Sequence, residues 1–183
     1  MSTTRGLTPQ QKSTLFQFAN NLIVNNCFLN KIGKTTSPRC SFCEEPDHRL
    51  HLLACPNSDG LGLAAVTILM ESSKSPLTAQ RLAVLDLDLH RHLVLPALVV
   101  LSEALQLISE KRKAGKPVKL SQAVSGLKAK ANALSQLKRR INAAALIDDW
   151  CQRIVLSDCP QTEAGEIIAE MSTPRPPGVP FSS

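Results

Sequence analysis

Apolar residues recur three, four or seven positions apart along most of the chain, which is the spacing of one face of an α-helix. The first run begins with a capping-box pattern, because Thr8 can cap a helix, Pro9 suits its first position and Gln11 stands three residues after the cap. Apolar positions then follow at Leu15, Phe18 and Leu22. We therefore predict an N-terminal helical unit over residues 1–33.

Five later segments show the same spacing and are predicted to be helical, at residues 61–71, 77–88, 93–113, 120 to about 150, and 162–171. The segment 93–113 has a wide apolar face, which is typical of a buried core helix, and Gly115 and Pro117 should end it. The segment from residue 120 resembles a coiled-coil seam that is broken only at Lys138. Its apolar positions are Leu120, Val124, Leu127, Ala131, Leu134, Ile141 and Ala145.

The composition agrees with this pattern. Leu and Ala dominate, Tyr is absent, and strand-favouring aromatic residues are few. We predict an all-α fold, a bundle of five or six helices with a small inserted zinc knuckle at 34–60 and a helical domain at 61–171. Residues 172–183 contain four Pro, which predicts a disordered tail.

Four potential metal ligands lie within sixteen residues, in the spacing Cys40-x2-Cys43-x7-His51-x3-Cys55. Two-residue spacing lets both thiolates of a Cys-x-x-Cys turn reach one ion, and residues four apart share a helix face. Few large apolar residues occur in 34–60, so this unit needs a metal to hold its shape. We predict one structural Zn²⁺, with His51 preferred and His48 as the competing ligand, because Cys43-x4-His48 matches retroviral-type knuckles.

The remaining cysteines and histidines predict less. Cys27 follows a helix and is expected to be a buried thiol, and Cys151 and Cys159 have no His nearby. His90 and His92 diverge if they lie on a helix, so we expect no second metal site there.

Residues 8–56 resemble the zinc-binding region downstream of the polymerase domain in non-LTR retrotransposon reverse transcriptases. The pattern of Ser-Pro-x-Cys-x-x-Cys, a Pro-acidic pair, a His and a final Cys-Pro is matched by the stretch NNCFLNKIGKTTSPRCSFCEEPDHRLHLLACP. This chain departs from the family in having three residues instead of four between His51 and Cys55, and in having His48 where Thr or Ser is usual. The resemblance implies a module that grips nucleic acid beside a polymerase. It implies no polymerase activity here, because without Tyr the chain lacks a Tyr-x-Asp-Asp signature.

Positive charge is concentrated in residues 111–140, where no acidic residue occurs. Without the ten basic residues of this segment, the 21 basic residues fall to 11 against 15 acidic ones, a net charge of −4. Such a segment predicts contact with a phosphate backbone, RNA or DNA, although a solvated helix face has the same composition. Aromatic residues are missing from it, so sequence-specific reading of single strands is not expected. The predicted contacts are Lys111, Arg112, Lys113, Lys116, Lys119, Lys128, Lys130, Lys138, Arg139 and Arg140.

These features lead to two hypotheses of function. The first is a zinc-stabilised basic nucleic-acid-binding protein. The alternative is a structural or adaptor subunit whose Leu- and Ala-rich helices pack on a protein partner or on a second copy. An enzyme is not expected, because no Gly-rich phosphate loop and no nucleophile–base arrangement is evident.

The sequence predicts a cellular location through two features that it does not show, a membrane-spanning segment and a secretion signal. No membrane partner is expected, because the best apolar run, 93–108, contains Pro96, Glu103 and Gln106 and is too short to span a bilayer. The first residues have no apolar core of a secretion signal, so we expect an intracellular protein, nuclear or cytoplasmic. A mitochondrial location is the alternative, because no acidic residue precedes Glu44.

Overall fold

A computed structural model of the chain describes residues 6–136, 141–156 and 161–169. These ranges form nine α-helices and no β-strand, which confirms the predicted all-α class. The predicted tail at 172–183 lies outside the described residues. The helices are α1 (Pro9–Ala19), α2 (Asn26–Lys31), α3 (His51–Ala54), α4 (Leu61–Ser72), α5 (Ala79–Val84), α6 (Val94–Lys113), α7 (Leu120–Ser135), α8 (Ile141–Leu156) and α9 (Gln161–Ala169).

Helix α1 begins with the capping box that the sequence predicts. The Thr8 hydroxyl accepts a hydrogen bond from the Gln11 backbone N–H at 3.2 Å, and the Gln11 side chain accepts one from the Thr8 N–H at 2.9 Å. Gln11 is also buried, and its Nε2 donates to Glu103 Oε1 on α6 at 3.2 Å. The cap therefore both starts α1 and fixes it against the central helix.

Helix α6 lies at the centre of the fold and contacts α1, α3, α4, α7 and α8. Nine of its residues are buried, and Val100, Leu101 and Leu105 have no exposed surface. The prediction of a buried core helix is confirmed. The helix ends at Lys113, and Gly115 follows with a φ of +64°, a conformation that glycine adopts without strain.

Helices α3 and α4 approach each other closely at Gly62. A Cβ atom placed on this residue would collide with the backbone of Leu53. Leu50, Leu52 and Leu53 are buried in the same apolar cluster as α4 and α6. The second half of the predicted knuckle is therefore part of the main core, to which it contributes these three Leu side chains.

The single coiled-coil seam predicted for residues 120–150 is wrong. The segment forms two helices, α7 and α8, which pack extensively on each other. With five residues between them, they can do so only by running in opposite directions. Ala145, a predicted seam residue, is exposed, whereas Ala144 and Ile147 are buried. The apolar faces thus cover each other and α6 within one chain, and Lys138 lies outside the described residues.

The helix predicted for 77–88 is shorter than its apolar spacing indicates. Helix α5 ends at Val84, because Leu85 takes a left-handed conformation with a φ of +54°. Arg81 stabilises the turn that follows, since its Nε donates to the Asp86 carbonyl at 3.1 Å. In the described ranges, no helix has the length and apolar character needed to cross a bilayer.

Candidate metal centre

The Cys40–Cys43 turn is held by backbone hydrogen bonds. The Glu44 N–H donates to the Cys40 carbonyl at 3.0 Å, and the Cys40 N–H donates to the Glu45 carbonyl at 2.8 Å. Glu44 has a φ of +62°, which reverses the chain directly after Cys43. Both thiols of the predicted Cys-x-x-Cys pair are thereby turned toward the same point.

The other two predicted ligands lie at the two ends of α3. The Cys55 N–H donates to the His51 carbonyl at 2.8 Å, so the two residues are one helical turn apart, as their spacing predicts. The Ser58 hydroxyl donates to the Cys55 carbonyl at 2.7 Å and continues this turn into a short 3₁₀ helix at Pro56–Ser58. Backbone hydrogen bonds thus hold both halves of the site.

The four predicted residues come together at one point. The ligand atoms of Cys40, Cys43, His51 and Cys55 all lie within 4.8 Å of one another. The Cys55 sulfur lies 3.8 Å from that of Cys40 and 3.9 Å from that of Cys43, and Cys43 Sγ lies 3.2 Å from His51 Nε2. A tetrahedron with metal–sulfur bonds of about 2.3 Å has edges of about 3.8 Å. A disulfide would need about 2.05 Å. The donor set therefore fits one tetrahedral metal ion.

Burial favours the neutral forms of three of the four residues, namely Cys43, His51 and Cys55. Cys40 and Cys55 are 2% exposed, and burial raises the pKa of Cys55 to about 12 and also raises the pKa of Cys43. Burial lowers the pKa of His51, which favours the neutral imidazole that binds metals. Thiols must lose their protons to bind a metal, so binding would release protons at neutral pH.

His48, the competing ligand, lies beside the group without belonging to it. Its Nδ1 accepts a hydrogen bond from the His51 backbone N–H at 3.2 Å, and the two ring centroids are 6.2 Å apart. Burial lowers the pKa of His48, so its neutral form is favoured. The structure gives His48 a role at the start of α3 and places His51 with the three thiols.

A buried ion pair connects the site to the basic segment, and the sequence analysis did not find it. Arg112 Nη2, at the end of α6, lies 2.7 Å from Asp47 Oδ1, and the two side chains are 12% and 1% exposed. The pair is in close ionic contact, but it lacks a well-aligned hydrogen bond. Nη2 also donates to Cys40 Sγ at 3.7 Å, and Asp47 Oδ2 accepts the Asn26 N–H at 2.7 Å. Asp47 therefore joins α2, the Cys turn and α6.

The ten basic residues predicted to contact nucleic acid differ in their exposure and in their ion pairs. Arg112 has Asp47 and Cys40 as partners, and Lys130 forms an ion pair with Glu103 at 3.4 Å. Lys111 is half-buried. Lys138, Arg139 and Arg140 lie outside the described residues. The exposed members are Lys113, Lys116, Lys119 and Lys128.

The other cysteines and histidines lie apart from the metal group. Cys27 Sγ donates to the Pro38 carbonyl at 3.3 Å, and Cys151 is fully buried, which raises its pKa to about 11. The His90 and His92 rings are 6.0 Å apart and both residues are exposed, while Cys159 lies outside the described residues. Within the described ranges, no second group of three or more ligand residues occurs.

Comparison with known proteins adds no relative. No protein-family model, no curated protein and no solved structure matches the chain. The resemblance to the zinc-binding region of non-LTR reverse transcriptases therefore depends on the residues of 8–56 alone.

Proposed function

We propose that this chain is a zinc-stabilised nucleic-acid-binding protein. The observation that supports this most strongly is the contact of Arg112 with both Asp47 and Cys40. It brings two features that lie about seventy residues apart in sequence, the metal group and the basic segment, into one structural unit. The metal site then serves to position the basic end of α6.

The donor set favours zinc and a structural role. Three thiolates and one imidazole in a tetrahedral arrangement are typical of structural Zn²⁺ sites, whereas hard cations prefer oxygen ligands. All four positions are filled by protein atoms, so a bound ion would keep no open position for a substrate. Zinc would hold the Cys turn, in which Cys40 is the one buried residue, against α3.

The exposed lysines support nucleic acid as the partner. Lys113, Lys116 and Lys119 follow one another from the end of α6 to the start of α7, all on the surface. Such a run suits a phosphate backbone, which is bound largely by electrostatic contact. The resemblance over residues 8–56 points to the same class of partner.

Salt-dependent binding of the zinc-loaded full chain tests this proposal. Fluorescence anisotropy with labelled RNA and DNA should show binding at low salt. In Lys113→Gln with Lys116→Gln, affinity should fall and the slope of log affinity against log salt should become shallower by about 1–2. The control, Lys74→Gln with Arg91→Gln, removes the same charge from other exposed positions and should change neither. The absence of binding at 25 mM salt would contradict the proposal.

One observation favours the adaptor alternative. Five apolar residues in the stretch 16–32, which includes the second half of α1 and all of α2, are between 43% and 62% exposed, namely Phe16, Leu22, Val24, Phe28 and Ile32. Exposed apolar surface of this kind is typical of protein interfaces. Light scattering over a range of concentrations tests it. A dimer that dissociates in Phe28→Ser with Ile32→Ser, in a protein that binds no nucleic acid, would favour this alternative.

A further inference from the structure

A cleft of about 340 Å³ lies between the end of α1, helix α2, the Cys turn and the end of α6. This volume is at the small end of the range for ligand pockets, about 300–1,000 Å³. Its apolar wall includes Leu22, Val24, Leu29 and the aromatic ring of Phe42. Phe42 lies between the two ligands of the Cys turn, so the metal site would determine where its ring stands.

Three residues that line this cleft carry a buried polar atom without a hydrogen-bond partner. Within the described part of the chain, these atoms are Ser109 Oγ, Arg112 Nη1 and Asp47 Oδ1, and the last lies 2.7 Å from Arg112 Nη2. Such atoms are rare in native proteins, because a buried polar group without a partner is costly. A guanidinium nitrogen only donates, and a hydroxyl donates or accepts. A carboxylate oxygen only accepts, so a group that satisfied all three atoms would offer both acceptor and donor atoms.

The charges around the cleft favour a neutral ligand over an anion. Asp47 and Glu110 balance Arg112 and Lys113. The positive charge of Arg112 is already offset by Asp47 at 2.7 Å. Of these two cations, Lys113 is exposed and Arg112 is not. The interior of the cleft thus suits a neutral planar group with acceptor atoms, and Lys113 suits a phosphate outside it.

We infer that this cleft receives one unpaired base of a single-stranded nucleic acid, with its ring against Phe42 and its acceptor atoms toward Arg112 Nη1 and Ser109. This inference rests on the proposed nucleic-acid function and specifies the partner. The sequence argued against base reading, because residues 111–140 contain no aromatic residue. The fold supplies the missing ring from the Cys turn and brings it to the same cleft as Lys113.

A pair of matched variants tests the role of the ring. Phe42→Leu should weaken binding of a single-stranded oligonucleotide about tenfold and leave the affinity for a duplex of the same length within about twofold. Phe16→Leu is the control, because Phe16 is 62% exposed and does not line the cleft. It should change neither affinity. Metal content must stay at one ion per chain in both variants.

A fluorescence measurement decides the matter even if Phe42→Leu disturbs the turn. Trp150 is the single Trp of the chain and is only 4% exposed, so the wild type supplies a baseline. An indole introduced by Phe42→Trp should be quenched when single-stranded RNA or DNA is added, and duplex should quench it little. Affinity for single strands should stay within about threefold of the wild type.

The outcomes separate the two proposals. If the wild type binds nucleic acid but Phe42→Leu keeps full single-strand affinity and the indole of Phe42→Trp is not quenched, the base site is wrong and the proposed function stands. If the wild type binds neither single strands nor duplex at low salt, the proposed function fails and the inference fails with it.

Discussion

The segment 31–49 and helix α6 are stabilised in different ways. Along α6, nine of twenty residues are buried, mostly Leu, Val and Ala, and neighbouring helices cover them. In 31–49, only Cys40 and Asp47 are buried. Cys40 belongs to the candidate metal group, and Asp47 is paired with Arg112. Apolar burial therefore organises the bundle, whereas the Cys turn depends on polar contacts and on the close approach of the four potential metal ligands.

The two regions also meet at few points. Asp47 and Cys40 of the segment 31–49 both contact Arg112 at the end of α6. Loss of the metal should therefore destabilise the segment 31–49 alone, whereas loss of these contacts should destabilise both regions together.

Removal of the metal should loosen the turn and leave the bundle folded. Structural zinc contributes about 10–16 kcal/mol in small peptides, and 31–49 has little apolar burial to replace it. In Cys43→Ser, we expect loss of bound zinc and at least about 100-fold faster amide exchange in 34–55, with α6 still protected. The measurements are elemental analysis and hydrogen exchange by mass spectrometry.

Cys27→Ser is the control for this loss. Cys27 lies near the turn but outside the metal group, so the variant should keep one zinc per chain. If Cys43→Ser and Cys55→Ser both keep one zinc per chain, the assigned ligands are incorrect.

Loss of Arg112 should affect both regions together. Arg112→Gln leaves the Asp47 carboxylate buried without its cation, which should lower the free energy of unfolding by about 3–5 kcal/mol. Zinc affinity should fall about 10- to 100-fold, because the guanidinium also contacts the Cys40 sulfur. Denaturant unfolding and competition with a zinc indicator measure the two effects.

Two further variants serve as controls for Arg112→Gln. Lys113→Gln removes the next residue's charge from the surface and should change stability by no more than about 0.5 kcal/mol. Asp47→Asn combined with Arg112→Gln should recover part of the lost stability, since no unpaired charge remains. An Arg112→Gln protein as stable as the wild type would mean that the ion pair does not couple the regions.

A methyl group at Gly62 should push α3 and α4 apart. Gly62→Ala is expected to lower the free energy of unfolding by about 1–3 kcal/mol, because its Cβ would collide with the Leu53 backbone. Gly126→Ala on α7 is the matched control, since nothing lies within 4 Å of its Cβ. It should stabilise by up to about 1 kcal/mol through helix propensity. Equal effects in the two variants would contradict the close packing.

Cys151 should make the bundle sensitive to alkali. Burial raises its pKa from 9.0 to about 11, so the unfolded chain loses this proton at a lower pH than the folded one. The stabilisation is complete below pH 9 and is lost as the pH rises toward 11. Compared with Cys151→Ala, the wild type should lose up to about 2–3 kcal/mol more over this window. If denaturant unfolding gives the two proteins the same dependence of the free energy of unfolding on pH, the raised pKa of Cys151 is wrong.

Several local features followed from the sequence because each depends on neighbouring residues. The capping box at Thr8 and Gln11 and the buried face of α6 are set by hydrogen bonds and spacing within one helix. The division into α7 and α8 was missed, because an apolar spacing that continues through a segment does not reveal where one helix ends and the next begins. Helix α5 was predicted too long for a related reason, since Leu85 leaves the helical conformation while keeping an apolar side chain.

The helical class and the grouping of Cys40, Cys43, His51 and Cys55 follow from sequence alone, because potential metal ligands within sixteen residues are brought together by two local turns. The contact of Arg112 with Cys40 and the cleft that Phe42 shares with Lys113 are evident only in three dimensions. Those contacts join residues about seventy positions apart. Their formation depends on how α6 packs against the turn, and no spacing along the chain encodes that packing.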